Sequence, residues 1–272
     1  MKSALPATIG LIAGNGRFPL LFAQAARRQG IKVVVAASFG DASFLVYLCA
    51  DEVRWFSPGR FKELFGFFRA RGVKSILMAG QINPDTLFNK DLQTDDEYRA
   101  LFAALADRRC DTIFGAVAER LKLEGLELLD STLLLKGFLA PPGTLTRRAP
   151  TEIQLADIDF GLGIAKHIGS IDIGQTVVIK GKAILAIEAM EGTDRCILRG
   201  GAIAREGAVV VKASKPGQDS RFDVPVIGPR TIATMLQARA AVLAIEAGKT
   251  LIIDRDKTVS LANRKGIVIV AA

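Results

Sequence analysis

The sequence predicts an α/β protein. It should comprise an N-terminal Rossmann-like parallel-sheet domain and a second α/β domain of mixed sheet. Three observations carry this expectation. Short Val/Ile/Ala-rich runs alternate with helix-period segments through the first half, the rhythm of a parallel sheet covered by helices. The stretch Ala140–Pro150 is dense in Pro and Gly and has no periodicity, which reads as a linker. After it the pattern changes to a hairpin followed by strands and longer helices. The expected division is therefore residues 1–139, a linker at 140–150, and a catalytic domain at 151–272.

In chain order, Thr8–Ala13 is a buried strand, Gly14-Asn15-Gly16 a turn, and Phe18–Gln29 a helix ended by Gly30. Ile31–Ala37 is a second strand. Ser57-Pro58 caps a helix over Phe61–Arg71. Ser75–Ala79 is a further strand, with Gly80–Asp85 as the loop at its end. Asp95–Arg108 and Asp111–Leu123 read as helices. Beyond the linker, Thr151-Glu-Ile-Gln154 has the form of a capping box opening a helix to about Gly169. Thr176–Lys180 and Ala183–Ala189 form a hairpin around Gly181-Lys182. A strand at Ala208–Val211 leads into an irregular loop. Pro229 opens a helix expected to run from Thr231 to about Ala247. Strands at Thr250–Ile253 and Ile267–Val270 enclose a short helix near Lys257–Arg264.

Composition narrows the function. Of 272 residues, 50% are hydrophobic and 24% charged, a soluble globular balance. No uncharged apolar run approaches the roughly 18 residues that span a bilayer. The apolar N-terminus is broken by Pro6 and Gly10 and reads as a first strand, so a cytoplasmic, unprocessed chain is expected. Cys49, Cys110 and Cys196 are far apart and imply neither a disulfide framework nor a zinc site. The single histidine, His167, makes a Ser-His-Asp triad an unsuitable reading. The net charge of +8 suits an anionic partner. Basic residues are spread along the chain without an arginine-rich arm or RNA-binding aromatics. A phosphorylated lipid precursor at an anionic inner leaflet therefore ranks above nucleic acid, with peripheral membrane contact expected.

The chemistry concentrates between Val211 and Gly228. Lys212, Lys215 and Arg221 alternate with Gln218, Asp219 and Asp223, and Pro216, Gly217, Pro225 and Gly228 hold the backbone off regular structure. Cations in a stiff loop at a strand end offset phosphate charge, and a carboxylate there holds a divalent metal or orients water. Asp172-Ile-Gly-Gln175 and Glu191-Gly192-Thr193-Asp194 flank the hairpin, which should make Gln175 and Glu191 neighbours. Gly10 to Gly16 has a glycine spacing that serves either a phosphate at a helix N-terminus or tight strand–helix packing. A nicotinamide-dependent oxidoreductase is the rival reading of that turn. Against it, Ala36-Ala37-Ser38 stands where an acidic ribose ligand belongs, and neither tyrosine has lysine four residues on. Ala247-Gly248-Lys249-Thr250 imitates a P-loop end but lacks glycine at 243 and follows a helix rather than opening one. A second rival is a non-catalytic carrier of a nucleotide-linked lipid.

Five segments together resemble the LpxI-type UDP-2,3-diacylglucosamine diphosphatases. They are Gly10–Pro19, Ala79–Asp85, Ile171–Gln175, Glu188–Asp194 and Lys212–Gly228. The resemblance implies Mg²⁺-dependent hydrolysis of UDP-2,3-diacylglucosamine to 2,3-diacylglucosamine 1-phosphate and UMP, with water attacking the phosphorus next to uridine. It also implies two domains gripping the lipid, and it places the essential aspartate on Asp223. Around it the expected phosphate and nucleotide contacts are Gly14, Asn15, Gly16, Gly80, Gln81, Gln175, Gly192, Thr193, Lys212, Lys215, Gln218 and Arg221. Glu191 and Asp194 are expected to share the metal with Asp223. A homodimer is compatible with the sequence.

Overall fold

The computed structural model describes residues 5–83, 86 and 89–272. The chain divides into two compact units, Met1–Leu135 with Ser220–Phe222, and Lys136–Asp219 with Asp223–Ala272.

The first unit runs β1 (Thr8–Ala13), α1 (Phe18–Arg28), β2 (Lys32–Ser38), β3 (Glu52–Phe56), α2 (Phe61–Arg69), β4 (Ser75–Ala79), α3 (Asp96–Ala103), α4 (Cys110–Leu123) and β5 (Glu127–Leu128). Its five strands are all parallel in the order β3-β2-β1-β4-β5. The central strands are apolar almost throughout because both sheet faces are covered, the usual state of parallel strands. One core gathers Val34, Ala36, Ile76, Phe65, Phe68 and Leu121 from β2, β4, α2 and α4. The segment Ser220–Phe222 joins this unit: Ser131 Oγ donates to Arg221 O at 2.6 Å, and Phe222 stacks on Phe114 at 5.4 Å.

The second unit runs β6 (Gly143–Thr144), α5 (Glu152–Ser170), β7 (Thr176–Lys180), β8 (Ala183–Ile187), α6 (Thr193–Ala204), β9 (Val209–Lys212), β10 (Val226–Ile227), α7 (Pro229–Gln237), β11 (Val242–Ile245), β12 (Leu251–Ile252), α8 (Arg255–Lys265) and β13 (Val268–Ala271). Its mixed sheet has the order β6-β13-β11-β9-β7-β8, with β13, β11 and β9 parallel and both margins antiparallel. A separate parallel pair joins β10 to β12. Successive residues of β9 point to opposite cores. Val209 and Val211 meet Ile158, Ala165 and Ile168 of α5, while Val210 faces Ile197 of α6 with Ile232 and Met235 of α7. The capping box at the start of α5 is present, with Thr151 and Gln154 exchanging bonds.

Several readings change. The helix expected through Ala247 stops at Gln237, because Arg239 takes φ 50° and the next apolar run becomes the central strand β11. The run read as a linker supplies β6, paired to β13, within the second unit. The helix expected over Asp95–Arg108 ends at Ala103, and the edge strand β3 is an element the sequence pattern does not announce.

Candidate active site

The carboxyl end of β9 and the amino end of β7 lie side by side, since Thr176 pairs with Lys212. Gln175 continues this edge, and its carbonyl accepts from Ala213 N at 3.0 Å. The next residue, Ser214, is held by Glu246 at the end of β11, which accepts from both its backbone N–H and its hydroxyl. Burial pushes the Glu246 carboxyl up, but the Lys249 ammonium and the two Ser214 bonds outweigh it, holding the group at about 2. That anchor aims the following residue, Lys215, inward.

Lys215 sits between two carboxylates. Its ammonium pairs with Asp172 Oδ1 and lies 3.3 Å from Asp223 Oδ2. The Lys215 and Asp172 side chains are each 7% exposed, against 26% for Asp223. Gln175 Nε2 donates to both oxygens of Asp223, at 2.8 and 2.7 Å. Gln218 Oε1 accepts from Lys215 N at 2.9 Å, closing the loop turn. A second node adjoins the first. Lys212 Nζ donates to Thr193 Oγ1 at 2.7 Å, the Thr193 hydroxyl donates to Glu188 Oε1 at 2.8 Å, and Glu188 Oε2 lies 4.0 Å from Lys212. Gly174 brings the nodes together: a Cβ there would stand 2.2 Å from the Glu188 carbonyl. Gln175 Oε1 and Glu188 Oε2 are buried acceptors with no hydrogen-bond partner.

The structure therefore brings together Gln175, Thr193, Lys212, Lys215, Gln218 and Asp223 from the expected set. It adds Asp172 and Glu188, which the sequence reading left without a role. Gly192 is the N-cap of α6 at φ 82°, placing Thr193 at the first helical position. Two expected metal ligands have partners away from Asp223. Glu191 pairs with Arg199, and Asp194 accepts from Arg230 Nε at 2.7 Å and from Thr234 Oγ1 at 3.2 Å. Among the described residues no group of three His, Cys, Asp or Glu side chains is placed to hold a metal. The cause is register. The hairpin pairing sets Glu188 opposite Thr176, beside Gln175, and leaves Glu191 three residues further along the chain. Arg221 lies with the first unit, its guanidinium 5.9 Å from the Phe222 ring.

In the first unit the two glycine loops meet at the carboxyl ends of β1 and β4. Asn15 N donates to Gln81 O at 2.7 Å and Gln81 N to Asn15 O at 3.3 Å. A Cβ on Gly14 would lie 2.6 Å from Gln81 O, and one on Gly80 2.4 Å from Asn15 O. These glycines let two backbones cross. Gly16, at φ 93°, faces open space. Gly10 makes room for the Phe68 ring, 2.7 Å from its would-be Cβ, so the glycine at this position serves packing. Pro84 and Asp85 of the neighbouring motif lie outside the described residues.

Fold and site define a two-unit α/β protein whose second unit holds two buried lysines among carboxylates, a constellation suited to a phosphate-bearing ligand. The chain matches the LpxI N-terminal domain over residues 8–138 and the LpxI C-terminal domain over residues 141–270. It is 32% identical over 274 residues to the UDP-2,3-diacylglucosamine pyrophosphatase LpxI of Caulobacter vibrioides, covering 96% of each chain. The chain belongs to the LpxI family.

Proposed function

We propose that this protein hydrolyses the diphosphate of UDP-2,3-diacylglucosamine to 2,3-diacylglucosamine 1-phosphate and UMP, in lipid A synthesis. The observation that carries the reading is Lys215 held between Asp172 and Asp223, in a chain of this family. A diphosphate repels an incoming nucleophile, and fixed cations lower that barrier by meeting charge where it develops. Lys215 and Lys212 supply those cations, aimed by Asp172 and by the Thr193–Glu188 pair. Asp223 holds a metal or orients the attacking water at the phosphorus next to uridine, and Gln175 fixes the plane of its carboxylate.

Magnesium fits this donor set. Mg²⁺ is commonly held by one or two carboxylates, with water and substrate phosphates completing its shell. Asp223 with the unpartnered Gln175 Oε1 offers such a start. Charge supports the reading as well. Lys212 already faces Glu188, and Lys215 faces Asp172 and Asp223, so a diphosphate arriving there calls for a further cation. Bound there, Mg²⁺ would neutralise diphosphate charge as a Lewis acid.

No helix among the described residues is long and apolar enough to cross a membrane. A cytoplasmic protein meeting its lipid at the inner-membrane surface follows from the proposed substrate.

The test uses purified protein, the lipid substrate and Mg²⁺ in ¹⁸O-water. Label in UMP supports attack next to uridine; label in the lipid phosphate overturns that part, and no UMP at all overturns the activity. Asp223→Ala should lose turnover by roughly a hundred- to a thousandfold while keeping a single cooperative melting transition, the scale of losing a central electrostatic group. Wild-type turnover in that variant removes Asp223 from the chemistry.

A further inference from the structure

Water covers most large apolar side chains singly on a protein surface, and single ones need no explanation. One place in the first unit departs from this. Phe39, Phe44, Leu45, Tyr47 and Leu48 are all more than half exposed, Phe44 at 75% and Leu48 at 69%. They lie in ten consecutive residues, at the carboxyl end of β2 and on the 3-10 turn Phe44–Leu48. Trp55 of the edge strand β3 ties them into one ridge, with its ring centroid 5.6 Å from Phe39 and 4.6 Å from Phe44. Its indole N–H donates to Tyr47 OH at 3.0 Å, so the indole's polar atom is satisfied within the ridge, whose outer face is largely hydrocarbon.

The turn is held firmly. Val46 is buried beneath it, Ser43 caps it through Leu45 N, and Arg27 donates to Leu48 O at 3.2 Å. That last bond sets a guanidinium beside the ridge, with Arg28 next in sequence at the exposed end of α1. The nearby carboxylates are turned to other work. Asp41 accepts from Ser38 Oγ and Asn83 N, Asp51 from Val33 N, and Glu52 pairs with Arg71. The result is an apolar, aromatic ridge bordered at the end of α1 by Arg27 and Arg28.

We propose that this ridge docks on an anionic lipid bilayer. Aromatic and leucine side chains enter the headgroup–acyl boundary while arginines meet lipid phosphates, the pattern of interfacial anchors. Charge decides against a second copy as occupant. Two copies would each bring a net charge of +8 to the contact, whereas an anionic leaflet complements that charge and the arginines beside the ridge. The proposal rests on the reading that the substrate is a membrane lipid, and its test separates the two.

Full-length protein is sedimented with vesicles of equal phosphatidylglycerol and phosphatidylcholine, and with phosphatidylcholine alone. In parallel, hydrolysis of a short-chain substrate that stays monomeric in water is followed. The ridge predicts partition onto the mixed vesicles, weaker partition onto neutral ones, and a loss of roughly tenfold or more in Phe44→Ser/Leu48→Ser. Arg27→Ala/Arg28→Ala should remove the preference for anionic lipid. Both variants keep wild-type hydrolysis of the short-chain substrate, since neither touches the second unit's site. These side chains are solvent-facing, so a matched melting curve shows that folding is intact. Wild-type protein that stays in the supernatant, or a Phe44/Leu48 variant that binds as well as wild type, overturns the proposal. So does a wild-type dimer in sedimentation velocity that this variant dissociates. Vesicle binding by a chain that cleaves nothing supports the ridge and overturns the activity.

Discussion

Replacing Asp172 with asparagine tests the centre of the site with the least collateral change. Asp172 takes φ 56°, a left-handed conformation that asparagine tolerates better than other non-glycine residues. The backbone should therefore stay, and only the charge leaves. Asp172 and Lys215 are each 7% exposed, and stripping one partner from a buried pair costs about 3–5 kcal/mol. Two features reduce this. Asp223 remains 3.3 Å from the ammonium, and the asparagine oxygen still accepts. A loss of about 2 kcal/mol is the expected remainder. For a unit of this size that lowers the melting transition by very roughly 8 °C. Catalysis should fall as well, because Lys215 turns fully to Asp223 and stops serving the ligand. A loss of about 1.4 kcal/mol in transition-state stabilisation is tenfold, so kcat should drop by roughly ten or more with a smaller change in KM. Calorimetry on the full chain and steady-state release of UMP read the two effects. An unchanged melting temperature together with wild-type kcat refutes the view that Asp172 holds Lys215 in place.

Acid should loosen the second unit through Glu246, whose carboxyl is lowered from 4.5 to about 2. A depressed carboxyl stabilises the fold above its unfolded value and loses that contribution as pH falls through the folded one. About 3 kcal/mol should therefore disappear between roughly pH 5 and pH 2, and Glu246→Gln should flatten the pH dependence of the urea midpoint. Gly10→Ala should cost about 1–3 kcal/mol by overpacking against Phe68 and Val73, measured by urea unfolding. Exposed Cys110, which is in no disulfide, should react with a disulfide reagent in the native protein. Cys196, which burial and then the Glu188 carboxylate push up to about 12, should react only after denaturation.

What the sequence disclosed follows from where the physics is local. The strands Thr8–Ala13 and Ser75–Ala79 were read with the observed bounds, because short apolar runs end at glycine turns. The Thr151–Gln154 capping box and Pro229 at the first turn of α7 are written in neighbouring residues. β11 was hidden because a strand buried on both faces loses its alternation, and Ala238–Ile245 suits either structure until Arg239 reverses its φ. The same division runs through the site. Lys212, Lys215 and Asp223 share one unusual loop, and their residue types announced charge chemistry. Asp172 and Glu188 enter only through the pairing of β7 with β8 and β9, which carries Glu188 rather than Glu191 to the side of Gln175. Glu246, which aims Lys215 through Ser214, is 32 residues away in sequence. No spacing rule reaches such a partner.

Topology explains why the two sets of residues occur at strand ends. In the first unit the chain leaves β1 towards β2 and β3, then returns to β4 on the other side of β1. Loops departing in opposite directions open a crevice at such a switch point, and ligands of open α/β sheets bind there. Here Asn15 and Gln81 bridge that crevice, which makes Gly14 and Gly80 structural requirements of the crossing. The second unit has a different discontinuity. Its parallel strands β13, β11 and β9 give way to antiparallel β7, so carboxyl ends and an amino end share one edge. Lys212, Ser214 and Glu246 arrive from the carboxyl ends of β9 and β11, and Gln175 from the amino end of β7. A uniformly parallel sheet would have carried Gln175 to the opposite edge, leaving Asp223 without the amide that orients it.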